Sequence, residues 1–187
     1  MRVTQSRYDG ELDQFHLAIR MLALQARTST IGRYTGLSND RIRKAYVSYV
    51  AEHGKKKLPK RKRGRPPSRV TRFVKTLDQH CESTVLMSLF MHAGLLVVDG
   101  PRNCTVSRTI NMLTRGHRLC DAYEMHRYLV PGGDMSLELA AALLRALGET
   151  HELVISRCEA CGALYVQDAY ALDYGHGPFC DELKLGH

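Results

Sequence analysis

The sequence predicts a mostly α-helical protein that ends in a small irregular lobe. Apolar residues recur every three or four positions through most of the chain as far as Leu147, which is the spacing of amphipathic helices. Glycine or proline follows several of these stretches and ends them. From residue 152 the pattern changes to a short β-like run that leads into cysteines. We therefore expect a helical domain over 1–151 and a separate lobe over 152–187.

The N-terminal part contains three predicted helices. Residues 11–27 carry an apolar stripe at helical spacing, and a shorter helix over 29–34 ends at Gly36. A third helix covers 39–50, and Ser38 is a suitable N-cap because its hydroxyl can accept from the N–H groups of the first turn. Two helices joined by a tight turn are typical of a helix-turn-helix, whose second helix fits the major groove of DNA.

The remainder of the chain contains further predicted helices over 69–93, 105–129 and 135–147. Gly116 weakens the second of these, because glycine is a poor helix former. A short β-like run follows at 152–156. The sequence therefore predicts a helical bundle with a helix-turn-helix-like N-terminal part and a small C-terminal lobe.

The positive charge of the chain is concentrated in one segment. The 187 residues carry a formal net charge of +8, and the stretch from Gly54 to Lys75 contains eleven Lys or Arg and no acidic residue. Its prolines and its glycine exclude a regular helix or strand, so we expect an extended basic loop over 54–69. Such a loop favours polyanionic partners, above all nucleic acid.

DNA contacts are expected from the third helix and from the basic loop. Arginines can read guanine edges or a narrow minor groove, whereas lysines mainly neutralise phosphates. Residues 61–67 have a Gly-Arg-Pro core flanked by cations, which resembles an AT-hook. A merely solvated cationic face and a non-specific phosphate-contacting run are the alternatives. The expected DNA-contacting residues are Arg41, Arg43, Lys44, Lys55, Lys56, Lys57, Lys60, Arg61, Lys62, Arg63 and Arg65.

Three of the six cysteines indicate a structural zinc site. Cys158 and Cys161 form a CxxC pair followed by glycine, the pattern of a zinc knuckle, in which two thiolates one tight turn apart face one ion. Cys180 is the expected third ligand, and His176 or His187 the expected fourth. A redox pair or an incidental CxxC is the alternative, although no βαβ unit precedes it. The other cysteines, expected to be small buried hydrophobes, are Cys81, Cys104 and Cys120.

Enzyme chemistry finds little support in the sequence. There is no Gly-rich phosphate loop with Walker or Rossmann spacing and no G-x-S-x-G turn. No apolar run is long enough to predict a membrane span, and the N-terminal residues lack the apolar region of a signal peptide. We therefore expect a cytoplasmic protein that is not an enzyme, has no small-molecule substrate, and uses its cysteines as thiols or metal ligands.

The order of these parts resembles the family of the flagellar transcriptional activator FlhC, and the resemblance covers most of residues 11–166. The residues that carry it are His16-Leu17-Ala18-Ile19-Arg20-Met21-Leu22 with Leu24-Gln25-Ala26-Arg27, then Thr35-Gly36-Leu37-Ser38, Arg41-Ile42-Arg43-Lys44 and Tyr46, then Ser88-Leu89-Phe90 and His92-Ala93-Gly94-Leu95, and finally Cys158, Cys161, Gly162 and Tyr165.

The resemblance implies a DNA-binding subunit that works with a partner, FlhD, in a hetero-oligomer. In that family the complex binds upstream of flagellar promoters and helps to recruit RNA polymerase. The resemblance also implies one structural zinc held by four cysteines, of which Cys158, Cys161 and Cys180 match three, while Leu183 stands at the fourth position. We therefore expect an activator subunit for flagellar genes. An architectural protein that binds A·T-rich DNA without a partner is the alternative.

Overall fold

The computed structural model describes residues 5–53, 69–100, 102–172 and 175–180. Most of these residues are helical, which confirms the predicted fold class. The chain forms two compact units. The first consists of the described residues of Met1–Arg65 and Ile110–Cys120. The second consists of the described residues of Pro66–Thr109 and Asp121–His187. The borders of these units do not coincide with the division expected at residue 152, which stays a prediction.

The first unit is built on three helices that pack against one another, α1 (Gln5–Ala23), α2 (Thr28–Thr35) and α3 (Asn39–His53). Their apolar faces meet in a core that includes Leu17 and Met21 from α1, Ile31 from α2 and Ile42 from α3, all fully buried. The three predicted N-terminal helices are therefore present, although the first begins and ends earlier than the apolar stripe indicated.

The turn between α2 and α3 has the capping that the sequence predicts. Gly36 has a φ of 72°, in the left-handed region that favours glycine, and its N–H donates to the Gly32 carbonyl at 2.9 Å. Ser38 Oγ accepts from the Arg41 N–H at 3.4 Å. Leu37, between these two caps, is buried. A left-handed glycine, a buried leucine and a serine cap thus define a short turn.

Helix α5 (Met112–Leu129) begins in the first unit and ends in the second. Gly116 is buried in its first half. A Cβ at this position would lie 2.5 Å from Cδ2 of Leu17 and 3.0 Å from Cβ of Tyr34. The glycine that weakens the helix locally is therefore the residue that lets α5 approach the side chains of α1 and α2.

The second unit combines a 3₁₀ turn, two further helices and two β-hairpins. In chain order its elements are the 3₁₀ turn Val70–Phe73, α4 (Leu77–His92), β1 (Leu96–Gly100), β2 (Asn103–Val106), α6 (Leu137–Gly148), β3 (Leu153–Arg157) and β4 (Leu164–Asp168). Each hairpin is an antiparallel two-stranded sheet, β1 with β2 and β3 with β4. Helices α4 and α6 pack together, α4 also contacts β4, and α6 contacts β2 and β3.

Two of the predicted helices are present, but the residues at which they were expected to begin are wrong. The helix expected over 69–93 begins only at Leu77, because Thr76 Oγ1 accepts from the Gln79 N–H and starts a new helix after the 3₁₀ turn. The helix expected over 105–129 begins at Met112, since residues 105 and 106 belong to β2 and residues 107–111 form a non-helical connection. In so short a segment, apolar residues do not distinguish a helix turn from a buried strand.

The described part of the chain contains no helix that is long and apolar enough to cross a membrane.

Candidate functional site

The CxxC motif forms the turn between β3 and β4. Cys158 directly follows β3, its N–H donates to the Ala163 carbonyl at 2.8 Å, and the Gly162 N–H donates back to the Cys158 carbonyl at 2.8 Å. Gly162 has a φ of 74°, which a residue with a Cβ rarely adopts. The glycine after the second cysteine therefore closes the tight turn that brings Cys158 and Cys161 to the same side.

Cys180 reaches this turn through a short segment that packs against the second hairpin. The Glu159 N–H donates to the Gly175 carbonyl at 2.9 Å, and the Cys180 N–H donates to the Gly177 carbonyl at 3.0 Å. Gly177 is buried against Tyr165, since a Cβ there would lie 3.1 Å from Cδ1 of the tyrosine ring. Two glycines thus allow residues 175–180 to lie close to the CxxC turn.

The three cysteines form a cluster whose sulfur atoms all lie within 4.8 Å of one another. The Sγ atoms of Cys158 and Cys180 are 3.5 Å apart. Cys158 is buried, Cys180 is half-buried and Cys161 is exposed. None of the six cysteines is in a disulfide bond. Cys104 and Cys120 are buried, and Cys81 is half-buried. The arrangement can hold a metal ion through three sulfur ligands.

The backbone around the cluster favours a thiolate at Cys158. N–H groups of Gly177, Cys161 and Ala160 point at its sulfur and, with the Cys180 side chain, lower the pKa of this thiol to about 6. The neighbouring sulfurs of Cys161 and Cys158 raise the pKa of Cys180 to about 12, because they stabilise its protonated form and repel a second negative charge. A divalent cation would relieve this repulsion by binding the sulfurs together.

Of the two histidines expected as fourth ligand, only His176 is among the described residues, and it is not part of the cluster. His176 is exposed, and its ring nitrogens are not among the ligand atoms that lie within 4.8 Å of one another. His187 and Leu183 lie outside the described residues. The cluster therefore comprises the three predicted cysteines, and the fourth ligand stays a prediction.

Two side chains that contact the β3–β4 hairpin escaped the sequence analysis. The Arg157 guanidinium donates to the Gly162 carbonyl at 2.7 Å and so braces the CxxC turn. His80 of α4 has its Nε2 at the Val166 carbonyl, and its ring lies edge-on to Tyr165 with centroids 5.9 Å apart. Because His80 is distant in sequence from the cysteines, no local pattern could have linked it to them.

The cationic residues predicted on α3 lie on its exposed face. Arg41, Arg43 and Lys44 are all exposed. The Arg41 guanidinium lies 3.4 Å from a Glu11 carboxylate oxygen and 4.9 Å from the centroid of the Phe15 ring. An oxygen of Asp40 lies 3.8 Å from the Arg43 guanidinium, in a pair of strongly exposed side chains. The basic loop lies outside the described residues. Its predicted contact residues are Lys55, Lys56, Lys57, Lys60, Arg61, Lys62, Arg63 and Arg65.

Comparison with protein-family models and with curated protein sequences finds no match for this chain.

Proposed function

We propose that the chain is a DNA-binding subunit of a bacterial transcription activator similar to FlhC, which works with an FlhD-like partner on flagellar promoters and helps to recruit RNA polymerase. The observation that carries this proposal is the α2–turn–α3 arrangement of the first unit. A short capped turn joins two packed helices, and the second helix exposes a row of cations. A helix of this kind is suited to lie in a major groove.

The two arginines of α3 differ in how readily they can meet DNA. Arg41 already has a carboxylate and an aromatic face as neighbours, so a phosphate must compete with Glu11 for its guanidinium. Arg43 pairs with Asp40 through strongly exposed side chains, and such exposed pairs contribute little to stability. We therefore propose Arg43 and Lys44 as the main contacts from this helix. The cations of 54–69 would add further phosphate contacts.

The cysteine cluster supports a structural zinc ion in the same protein. Zinc binds thiolate sulfur at about 2.3 Å, so tetrahedral ligation requires sulfur atoms about 3.8 Å apart. The 3.5 Å separation of the Cys158 and Cys180 sulfurs is close to that value, and the third sulfur lies within 4.8 Å of both. Bound zinc would fix the CxxC turn to residues 175–180. The proposed candidates for the fourth ligand are His187 and, if residues 175–180 rearrange on metal binding, His176.

A DNA-binding assay with and without the partner tests this function. Fluorescence anisotropy would follow a labelled flagellar promoter duplex, with an unlabelled A·T-rich duplex as competitor and the FlhD-like protein from the same genome as partner. We expect tight, competitor-resistant binding only with the partner. If about eight phosphates are engaged, log K should fall with log[salt] at a slope near −7. Equal binding of both duplexes by this chain alone would overturn the proposal in favour of the architectural alternative.

Variants of α3 separate the helix from the basic loop in the same assay. Arg43→Gln and Lys44→Gln each remove one exposed cation from the proposed contact face. We expect each to weaken promoter binding several-fold and to make the salt slope shallower by about 0.9. Arg127→Gln, which removes an exposed cation of α5 in the second unit, is the matched control and should leave binding unchanged.

A further inference from the structure

We propose that the cysteine cluster is also a reversible thiol switch, in which hydrogen peroxide joins Cys161 to Cys180 by a disulfide and thereby releases the bound metal. The switch rests on the zinc site of the proposed function, because it uses the same three sulfur atoms. It concerns the regulation of that site, and the oxidation can be followed in the chain both with and without zinc.

The three cysteines differ in how well an oxidant can reach them. Cys161 is exposed, Cys180 is half-buried, and Cys158 is only 2 % exposed. The oxidation of a cysteine depends on its access to the oxidant. Hydrogen peroxide therefore reacts first with the Cys161 sulfur, which lies in the exposed part of the turn between β3 and β4.

Cys180 is placed to react with an oxidised Cys161. Its thiol forms hydrogen bonds with the sulfurs of both Cys161 and Cys158, and its Sγ lies 3.5 Å from that of Cys158. All three sulfurs lie within 4.8 Å of one another. The two sulfurs of a disulfide are about 2.05 Å apart. Rotation of the Cys161 and Cys180 side chains about their Cα–Cβ bonds can close the remaining distance.

Cys158 is less suited to this reaction although it belongs to the same CxxC motif. Its sulfur is buried and accepts hydrogen bonds from the backbone N–H groups of Gly177, Cys161 and Ala160. An attack by this sulfur would have to break these hydrogen bonds, which hold it in place. Cys158 therefore keeps its thiol when the other two cysteines form a disulfide.

The reaction consumes one hydrogen peroxide for each pair of thiols. The Cys161 sulfur attacks a peroxide oxygen, the O–O bond breaks, and the departing hydroxide takes up the thiol proton as water, which leaves a sulfenic acid. The Cys180 sulfur then attacks the Cys161 sulfur, the S–S bond forms and the S–O bond breaks. A second water leaves with the Cys180 proton. Two electrons have passed from the two sulfurs to the peroxide oxygens.

Oxidation and metal binding exclude each other at this site. Zinc binds thiolate sulfur, and a disulfide sulfur carries no such charge. In the zinc-loaded chain two protons from solvent form the water molecules, and the zinc ion leaves as the disulfide forms. The hairpin keeps its contact with α4, where the Val166 N–H donates to Thr84 Oγ1 at 3.3 Å. A thiol reductant therefore restores the cluster from a chain whose hairpin is still in place.

Thiol counting on the full chain tests the switch. Metal-free chain and zinc-loaded chain are treated with hydrogen peroxide, and free thiols are counted after denaturation. We expect the count in the metal-free chain to fall by two from the six of the reduced chain and to recover with dithiothreitol. The zinc-loaded chain should oxidise about tenfold more slowly, because the metal occupies the reacting sulfurs. A chromophoric chelator should detect one zinc ion released for each disulfide formed.

Peptide mapping identifies the disulfide. A protease that cleaves after Glu and Asp separates the three cysteines, since Glu159 follows Cys158 directly. Asp168 lies between Cys161 and Cys180. Mass spectrometry should find the peptides of Cys161 and Cys180 linked and that of Cys158 free. A disulfide that leaves out either Cys161 or Cys180 would overturn the proposal.

Three variants assign the roles of the cysteines. Cys180→Ser should form no disulfide at the cluster and should accumulate a sulfenic acid at Cys161, which dimedone labels. Cys161→Ser should keep all its remaining thiols under the same treatment. Cys81→Ser is the matched control, since Cys81 is a half-buried cysteine of α4 outside the cluster, and it should still lose two thiols.

The two states of the chain separate failure of the switch from failure of the zinc site. A chain that binds zinc but keeps all six thiols when the metal-free form meets peroxide overturns the switch and leaves the zinc site in place. A chain that forms the Cys161–Cys180 disulfide but never binds zinc overturns the zinc site and retains the thiol pair as the switch. Neither outcome depends on promoter binding, which is measured separately.

Discussion

The sulfur atoms of Cys158 and Cys180 lie 3.5 Å apart although 22 positions separate the two residues in the sequence. The contact depends on the packing of residues 175–180 against the second hairpin, where Gly177 lies on the ring of Tyr165 and the Gly175 carbonyl accepts from Glu159. A metal bound by these sulfurs would therefore link a hairpin to the segment after it. Metal binding that fixes two segments to each other contributes to the free energy of folding.

Loss of one cysteine ligand should release the metal. We expect Cys161→Ser and Cys180→Ser each to weaken zinc binding tenfold or more, since a hydroxyl is a much poorer zinc ligand than a thiolate. Zinc affinity would be measured by competition with a chromophoric chelator. Cys81→Ser is the matched control, because Cys81 is on α4 and outside the cluster. Cysteine variants that bind zinc as tightly as the unmodified chain would contradict the zinc site.

The two candidate histidines should behave differently from the cysteines. Because His176 lies outside the sulfur cluster, we expect His176→Ala to retain bound zinc. The same measurement on His187→Ala tests the other candidate. A chain that loses zinc through His176→Ala would require residues 175–180 to rearrange on metal binding, and a chain that loses it through neither substitution would exclude both histidines as the fourth ligand.

Local signals account for the features that the sequence predicts well. Gly36 and Ser38 define the turn between α2 and α3 because a left-handed glycine and a side-chain cap act within a few residues. The CxxC turn is similarly local. The β1–β2 hairpin was missed because its strands are short and because Val106 also stands at helical spacing from Ile110 and Leu113.

Contacts between distant residues account for what the sequence does not predict. His80 lies 86 positions from the Val166 carbonyl that it contacts, and no sequence pattern connects them. A cleft that Arg102 and Arg157 line likewise arises only when the two hairpins lie next to each other. Such features depend on packing rather than on periodicity, and so they become visible only in the folded chain.

Two glycine substitutions should have opposite effects on stability. Gly116→Ala places a Cβ 2.5 Å from Leu17 Cδ2 and 3.0 Å from Tyr34 Cβ, so we expect a loss of about 1–3 kcal/mol in the free energy of unfolding. Gly10 is at an exposed position of α1, and a Cβ there meets no atom within 4 Å, so Gly10→Ala should raise the free energy of unfolding by about 0.5–1 kcal/mol because alanine is the better helix former. Urea unfolding measures both. Stabilisation by Gly116→Ala would contradict the close approach of the helices.

Glu82 should be important for the loop that precedes α6. Its two carboxylate oxygens accept from the N–H groups of Asp134 and Met135, at 3.1 and 3.2 Å. Glu82→Ala leaves both N–H groups without this acceptor, and we expect a loss of about 1–3 kcal/mol in the free energy of unfolding. Glu82→Gln keeps one acceptor oxygen, so its loss in the free energy of unfolding should be smaller than that of Glu82→Ala. Equal losses in the two variants, measured by urea unfolding, would show that packing rather than hydrogen bonding is responsible.

His126 should make the second unit less stable in mild acid. It is 1 % exposed, and its Nε2 has no hydrogen-bond partner among the described residues. Burial lowers the pKa of His126 below its ordinary value of 6.5, although the nearby Glu82 raises it in part. As the pH falls through 6.5, the unfolded chain takes up a proton that the folded chain does not, so the free energy of unfolding falls by up to about 1.4 kcal/mol per pH unit.

The test of this prediction is the slope of unfolding free energy against pH between 7.5 and 5.5, compared between the unmodified chain and His126→Gln. We expect a shallower slope in the variant, because glutamine does not titrate. Loss of zinc in acid affects both chains alike and cancels in the comparison. His92→Gln, at an exposed position on α4, is the control and should keep the original slope. An unchanged slope in His126→Gln would mean that the buried ring takes up its proton as readily as it does in the unfolded chain.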